Sequence, residues 1–247
     1  MEDFEEAKDK IIMGLERKSL AMSEDEKRNT AYHEAGHAMV AVLLPESDPI
    51  HKVTTIPRGR ALGVTIQLPE DDRYTYTKTY LESRIAILMA GRVAEELHMG
   101  HITTGAGNDI VVATDLARKM VCKWGMSPLG PVNLGVEEDQ IFLGKDLVRH
   151  QSYSDTTANR IDEEVKRIIH EGHEKSKKIL EENRKNFVKL AETLFEREVL
   201  SSEEVVAPVN GKNLPKLEPR PAAEKPKEPE QPQIDGAEPD PEPTEET

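Results

Sequence analysis

Two histidines and a glutamate stand at a spacing that suits a metal centre. His33, Glu34 and His37 form the pattern H-E-x-x-H inside a segment of helical periodicity. Residues i and i+4 lie on one face of a helix, so both imidazoles can bind the same ion. Glu34 follows the first histidine directly and can reach a water molecule at that ion. The pattern predicts a zinc peptidase site, with the histidines as ligands and Glu34 as general base.

The helix that carries this motif is expected to be buried, which strengthens the metal interpretation. Buried histidines need polar partners, and a shared cation would serve both. Gly36 stands inside the helix at a cost of about 1 kcal/mol relative to alanine, so we expect a close approach there by substrate or by a neighbouring backbone. The apolar residues at helical spacing around the motif are Ala31, Tyr32, Ala35, Ala38, Met39, Val42 and Leu43.

A third protein ligand has to come from elsewhere in the chain, because catalytic zinc sites usually have three. The downstream histidine of the longer H-E-x-x-H-x-x-G-x-x-H pattern is absent. His98 and His101 are weak candidates near a loop, and two carboxylates are stronger. Asp109 enters a helix from a glycine-rich loop, which favours it as the ligand, although a carboxylate at this position also suits the helix N-terminus without any metal. Glu95, on an otherwise apolar helix, would then hydrogen-bond a ligand histidine or form a buried salt bridge.

The elements that must position these residues are mostly helical. Hydrophobic periodicity and capping signals predict a mainly α fold with a small β-hairpin or sheet. Ser23 and Glu26 fit a capping box that starts the motif helix. The predicted elements are a helix over 23–44, a hairpin or two adjacent strands over 51–68, helices over 77–99 and 108–124, and a long helical region over 154–200 that divides near Asn183.

Composition divides the chain into three parts. Residues 1–22 are expected to be a linking segment, 23–203 the metallopeptidase domain, and 204–247 a disordered acidic tail. Of the 16 prolines, ten lie from residue 207 onward, where ten acidic residues also outnumber five basic ones. Such a segment buries too little apolar surface to fold by itself.

Charge and cysteine content exclude several classes of function. The formal net charge of −14 argues against nucleic acid as a main partner. The single cysteine, Cys122, supports neither a disulfide framework nor a cysteine-based zinc site, and it fits a reducing, cytoplasmic compartment. No apolar run reaches the roughly 18 residues of a membrane span, so we expect this chain alone to be soluble.

Several blocks of sequence together resemble one known family. The most specific blocks are Thr30-Ala-Tyr-His-Glu-Ala-Gly-His37, Ile56-Pro-Arg-Gly-Arg-Ala-Leu-Gly-Val64, Ala90-Gly-Arg-Val-Ala-Glu-Glu96 and Thr103-Thr-Gly-Ala-Gly-Asn-Asp109. Over about residues 1–200 the chain resembles the C-terminal peptidase domain of the FtsH-type AAA+ membrane proteases. The resemblance implies a mostly helical domain that holds one zinc ion through His33, His37 and Asp109. It assigns the general base to Glu34 and places Glu95 near the site.

The resemblance also implies partners and a location. Members of this family are ATP-dependent, form homo-hexamers and hydrolyse unfolded or membrane proteins at the cytoplasmic face of the bacterial inner membrane. Residues 1–22 resemble the end of the family's ATPase module. The phosphate-binding sequence G-x-x-x-x-G-K-[ST] does not occur in this chain. ATP binding and membrane contact are therefore expected only through segments absent here.

A different class of function also fits part of the sequence. The helices over 154–200 suit a subunit interface, so a non-catalytic, zinc-stabilised ring-assembly module is the alternative to an enzyme. Glu34 favours the enzyme, because a structural zinc site needs no base.

Overall fold

The computed structural model describes five stretches of the chain and six single residues near its start. The stretches are 22–58, 61–69, 71–100, 102–134 and 153–215, and the single residues are 8, 10, 11, 14, 16 and 17.

The described residues form six helices and three short strands, which confirms the predicted mainly α fold with a small sheet. The helices are α1 (Glu24–Leu43), α2 (Lys78–Met99), α3 (Gly107–Cys122), α4 (Asp155–Glu182), α5 (Arg184–Arg197) and α6 (Ser202–Val209). The strands are β1 (Ile50–Thr54), β2 (Val64–Gln67) and β3 (Val199–Ser201).

The motif helix α1 begins at the predicted capping box. The Ser23 hydroxyl accepts a bond from the Glu26 amide at 3.2 Å, and the Glu26 carboxylate accepts one from the Ser23 amide at 3.1 Å. Two otherwise unpaired backbone donors are thereby satisfied at the helix start. From Thr30 to Ala41 nearly every residue of α1 is buried, so the motif lies deep in the protein rather than on a polar face.

Helix α2 joins two hydrophobic cores. Its C-terminal half, around Ala90 and Ala94, packs with α1, β1, α5 and α6. Its N-terminal half, around Ile85 and Met89, packs with α3 and the first turns of α4. The metal motif on α1 and the start of α3 are therefore both held against one shared helix.

Glycine permits the close contact between α1 and α2. A Cβ atom built on Gly36 would lie 2.7 Å from the carbonyl oxygen of Ala90 and 2.7 Å from the Cβ atom of Ala94. The glycine inside α1 is thus explained by a neighbouring backbone, one of the two reasons expected from the sequence.

We predict that Gly36→Ala destabilises the fold despite the better helix propensity of alanine. Alanine gains about 1 kcal/mol of propensity, but overpacking against backbone costs about 1–3 kcal/mol. The free energy of unfolding should therefore fall by up to about 2 kcal/mol in urea titrations with chelator present. Gly107→Ala in α3 is the control, because a Cβ there meets nothing within 4 Å. A Gly36→Ala protein as stable as the control would contradict this account of the contact.

The strands form one antiparallel sheet in the order β2-β1-β3. The predicted hairpin is confirmed as β1 and β2, with shorter strands than expected. Strand β3 was not predicted, because three residues after a long helix carry too little periodicity. Glu198, at φ 63° in the left-handed region, ends α5 and turns the chain into β3. Strand β2 lies at an edge of this sheet, and no other described strand pairs with its outer side.

The folded part continues past the boundary expected at residues 203 and 204. That boundary falls inside α6, whose Val205 and Val209 are buried in the first core. Proline content alone was misleading here, because Pro208 lies within the last turn of this helix. Residues 216–247, and most of 1–22, lie outside the described part, so the expected tail and linker remain predictions. Within the described residues, no helix is both long and apolar enough to cross a membrane.

Candidate metal centre

Three side chains from two helices converge at the motif. Nε2 of His33 lies 3.0 Å from Nε2 of His37. Oδ2 of Asp109 lies 3.3 Å from each of these nitrogens. In a tetrahedral zinc site with bonds of about 2.0–2.1 Å, neighbouring ligand atoms stand about 3.3 Å apart. The donor types and their separations therefore fit a zinc ion bound by two imidazoles and one carboxylate.

The other ring nitrogens have partners that aim both rings. Nδ1 of His37 lies 2.7 Å from the carbonyl oxygen of Ile87 on α2. A carbonyl can only accept, so this nitrogen donates, and the lone pair of the neutral imidazole is then on Nε2. Nδ1 of His33 lies 2.9 Å from Oε1 of Glu95, a contact in which the imidazole likewise donates to a carboxylate. This is the arrangement by which outer partners orient metal-binding histidines.

Glu95 is itself held by hydrogen bonds. It is buried, and its carboxylate accepts bonds from the Thr103 amide at 2.8 Å and the Thr103 hydroxyl at 3.0 Å. Of the two carboxylates that the sequence left open, Asp109 faces the Nε2 atoms and Glu95 faces the far side of the His33 ring. The loop before α3 thus contacts the site through Thr103, which bonds Glu95.

Asp109 stands in the first turn of α3, two residues after its start. The residue before this helix, Ala106, provides no side-chain cap. The Asp109 carboxylate instead points at the two histidines, while the positive end of the helix dipole favours its ionised form.

The electrostatics of the cluster favour a cation. Burial opposes charge on His33, but the hydrogen bonds to Asp109 and Glu95 and the charge of Glu34 outweigh it, so the pKa of His33 rises to about 10. Burial opposes the ionised form of Asp109, yet the contacts with His33 and His37 hold the pKa of that carboxyl well below its usual range. The field that favours a proton on His33 equally favours a metal ion among these ligands.

Glu34 lies beside this cluster and is only 6% exposed. Its Oε2 atom lies 2.6 Å from the hydroxyl of Thr65 on β2. The sheet therefore closes one side of the centre, while α2 and the start of α3 form the others.

Gly91 on α2 was not recognised from the sequence as part of the site. A Cβ at this position would lie 2.5 Å from Nε2 of His37 and 2.6 Å from Nε2 of His33. Only glycine leaves room for both rings here. A glycine inside a helix rich in leucine, isoleucine and alanine was the available signal, the same signal that Gly36 gave. No comparable sequence signal identified Thr65, Thr103 or the Ile87 carbonyl as part of the site.

The alternative histidine ligands do not reach the centre among the described residues. The His98 ring stacks on Tyr32 at 3.4 Å between centroids. His101 lies outside the described residues.

Comparisons with known proteins show the family of this chain. The family model described as Peptidase family M41 matches residues 20–207. The chain is 52% identical over 219 residues to a protein of Acidobacterium capsulatum named ATP-dependent zinc metalloprotease FtsH, covering 89% of this chain and 34% of that protein. It is 56% identical over 207 residues to a protein of the same name from Magnetococcus marinus, covering 83% of this chain and 31% of that one.

A third similar protein, from Sorangium cellulosum, is named ATP-dependent zinc metalloprotease FtsH 4. It is 53% identical over 218 residues, which cover 87% of this chain and 34% of that protein. The chain thus spans about a third of the length of the curated relatives it matches. On the match of the family model to most of its folded part, this chain belongs to peptidase family M41 and carries its metallopeptidase domain.

Proposed function

We propose that this chain is a zinc metalloendopeptidase whose ion is held by His33, His37 and Asp109. One observation carries the proposal: three ligand atoms lie 3.0–3.3 Å apart beside a buried glutamate. When bound there, zinc would supply a Lewis acid that activates water and polarises the scissile carbonyl.

Glu34 has the proton-transfer role in this proposal. Its carboxylate accepts a proton from the attacking water and later gives it to the leaving amine. The helical spacing of the motif supports this role, because Glu34 adjoins His33 and its charge acts on that ring. Glu95 orients His33 through Nδ1, and Thr103 in turn holds Glu95. The backbone carbonyl of Ile87 does the same for His37.

The substrates in this proposal are unfolded polypeptides. An extended segment would add to the outer side of β2, where main-chain hydrogen bonds bind a peptide with little demand on its side chains. The position of β2 at the sheet edge and the contact of its Thr65 with Glu34 support this binding mode. A folded substrate offers no free strand, so this mode selects for loosely structured chains.

We further propose that the chain acts as part of a larger assembly. Its curated relatives are named as ATP-dependent zinc metalloproteases and are about three times as long. In the proposed assembly a homo-hexameric ATPase ring at the cytoplasmic face of the bacterial inner membrane delivers unfolded or membrane proteins to six such domains. ATP would act only in that motor, because the described site holds no phosphate-binding element.

Zinc content tests the ligand set. We predict about one zinc per chain, as expected for a site with three protein ligands, and cleavage of labelled casein that stops with chelator and returns with added zinc. Asp109→Ala should weaken zinc binding by more than the roughly 100-fold seen when only an orienting partner is lost. Asp115→Ala, an exposed aspartate of the same helix, should keep both zinc and cleavage.

The outcomes separate the possible functions. Full zinc retention in Asp109→Ala would mean that another residue is the third ligand. A chain that holds zinc but cleaves no casein would support the non-catalytic assembly module instead.

A further inference from the structure

The strand β2 contacts the proposed base through one hydroxyl. Oγ1 of Thr65 lies 2.6 Å from Oε2 of Glu34 and 3.3 Å from the Glu34 carbonyl oxygen. A carboxylate and a carbonyl only accept, so the hydroxyl is the donor, and its single proton goes to the shorter contact. Thr65 of the sheet therefore donates a hydrogen bond to the carboxylate of Glu34 on α1.

The same strand region closes a second side of Glu34. A Cβ built on Gly63 would lie 2.8 Å from both Cγ and Oε1 of Glu34, and 2.7 Å from Cγ2 of Thr30. The backbone at residue 63 therefore packs against the Glu34 side chain, whose Oε2 atom accepts the bond from Thr65. A glutamate has three rotatable bonds, and this enclosure restricts the rotamers it can adopt.

The Thr65 hydroxyl does not contact the three ligands. The ring nitrogens of His33 and His37 contact Asp109, Glu95 and the Ile87 carbonyl instead. Loss of the hydroxyl should therefore leave the ligand set intact and act on Glu34 alone.

We propose that Thr65 is a positioning residue for Glu34. Its hydroxyl bonds Oε2 and so fixes the orientation in which the carboxylate meets the attacking water. This inference rests on the proposed peptidase function and adds a residue that the H-E-x-x-H motif does not contain. Hydrogen bonds to charged groups are strong enough that losing one changes a rate by roughly 10- to 100-fold.

The test compares Thr65→Val with Thr65→Ser in the zinc-loaded full chain. Valine keeps the shape and removes the donor, whereas serine keeps the donor. For labelled casein, kcat of Thr65→Val should fall roughly 10- to 100-fold with KM within about twofold of wild type. Thr65→Ser should keep most of the activity. Thr193→Val is the control, because that hydroxyl bonds the Lys189 carbonyl within α5.

Three readouts other than activity exclude a merely structural effect. Zinc content and the unfolding temperature of Thr65→Val should match those of Thr193→Val. A crystal structure of Thr65→Val should show the Glu34 carboxylate displaced or in several rotamers while the β2 backbone is unchanged.

Several results would overturn the inference. These are a wild-type kcat in Thr65→Val, an equal loss in Thr65→Ser, or a loss that follows zinc content. If wild type cleaves casein and Glu34→Gln does not, any of these three results rejects the role of Thr65 but leaves the proposed peptidase function standing. If wild-type chain with bound zinc cleaves nothing, the proposed function itself fails, and the role of Thr65 fails with it.

Discussion

Glu34→Gln is expected to reduce casein cleavage by about 10²- to 10⁴-fold, the range that a general base contributes. Glutamine has the same shape and keeps an oxygen that accepts the Thr65 hydroxyl, whose present contact is 2.6 Å. It cannot take a proton from water. Because Glu34 is not among the three ligands, zinc content should stay at its wild-type value.

Cleavage rate and bound zinc should be measured on the same samples, so that loss of metal is not mistaken for loss of chemistry. Glu24→Gln is the matched control, since Glu24 is an exposed glutamate in the first turn of the same helix. If Glu34→Gln cleaves casein as fast as this control, Glu34 is not the base and the enzyme proposal is wrong.

Gly91→Ala should remove zinc from a protein that still folds. The added methyl would lie 2.5–2.6 Å from Nε2 of His37, and from Cε1 and Nε2 of His33. Both rings would have to rotate away from Asp109, or α1 and α2 would have to separate. Zinc affinity should fall by roughly 100-fold or more, at or beyond the largest effect of orienting partners. Cleavage at limiting zinc should fall in proportion.

The fold itself should tolerate Gly91→Ala, because alanine gains about 1 kcal/mol of helix propensity and the clash is with the ends of side chains. The helical circular dichroism of the chelator-treated variant should equal that of wild type. Gly107→Ala is again the control, because a Cβ there meets nothing within 4 Å. A Gly91→Ala protein that holds zinc tightly would show that the rings have more room than these distances allow.

Local sequence signals were sufficient for most of the helices. Capping at Ser23 and the left-handed Gly100 after α2 mark helix ends that depend on neighbouring residues alone. The H-E-x-x-H spacing likewise needs only helix geometry to bring two imidazoles together. Strand β3 was missed because its pairing partner β1 lies far away in the chain, and α6 because a proline near its end resembled the composition of the tail.

The parts of the site that were missed depend on contacts between distant elements. Asp109 was favoured over Glu95 from its loop context, and its Oδ2 atom lies 3.3 Å from Nε2 of both histidines. The role of Gly91 comes from the rings of another helix, and the contact of Thr65 with Glu34 joins residues 31 positions apart. No pattern within a single segment encodes such contacts, since each depends on how α1, α2 and the sheet pack.

The distance along the chain between the proposed ligands has a consequence for biosynthesis. His33 and Asp109 are 76 positions apart, and they meet only when α3 lies beside α1 and α2. A nascent or unfolded copy has at most the histidine pair, which binds zinc far less well than three ligands. Peptidase activity would then arise only when folding is complete. An incompletely folded chain would not cleave the nascent proteins around it.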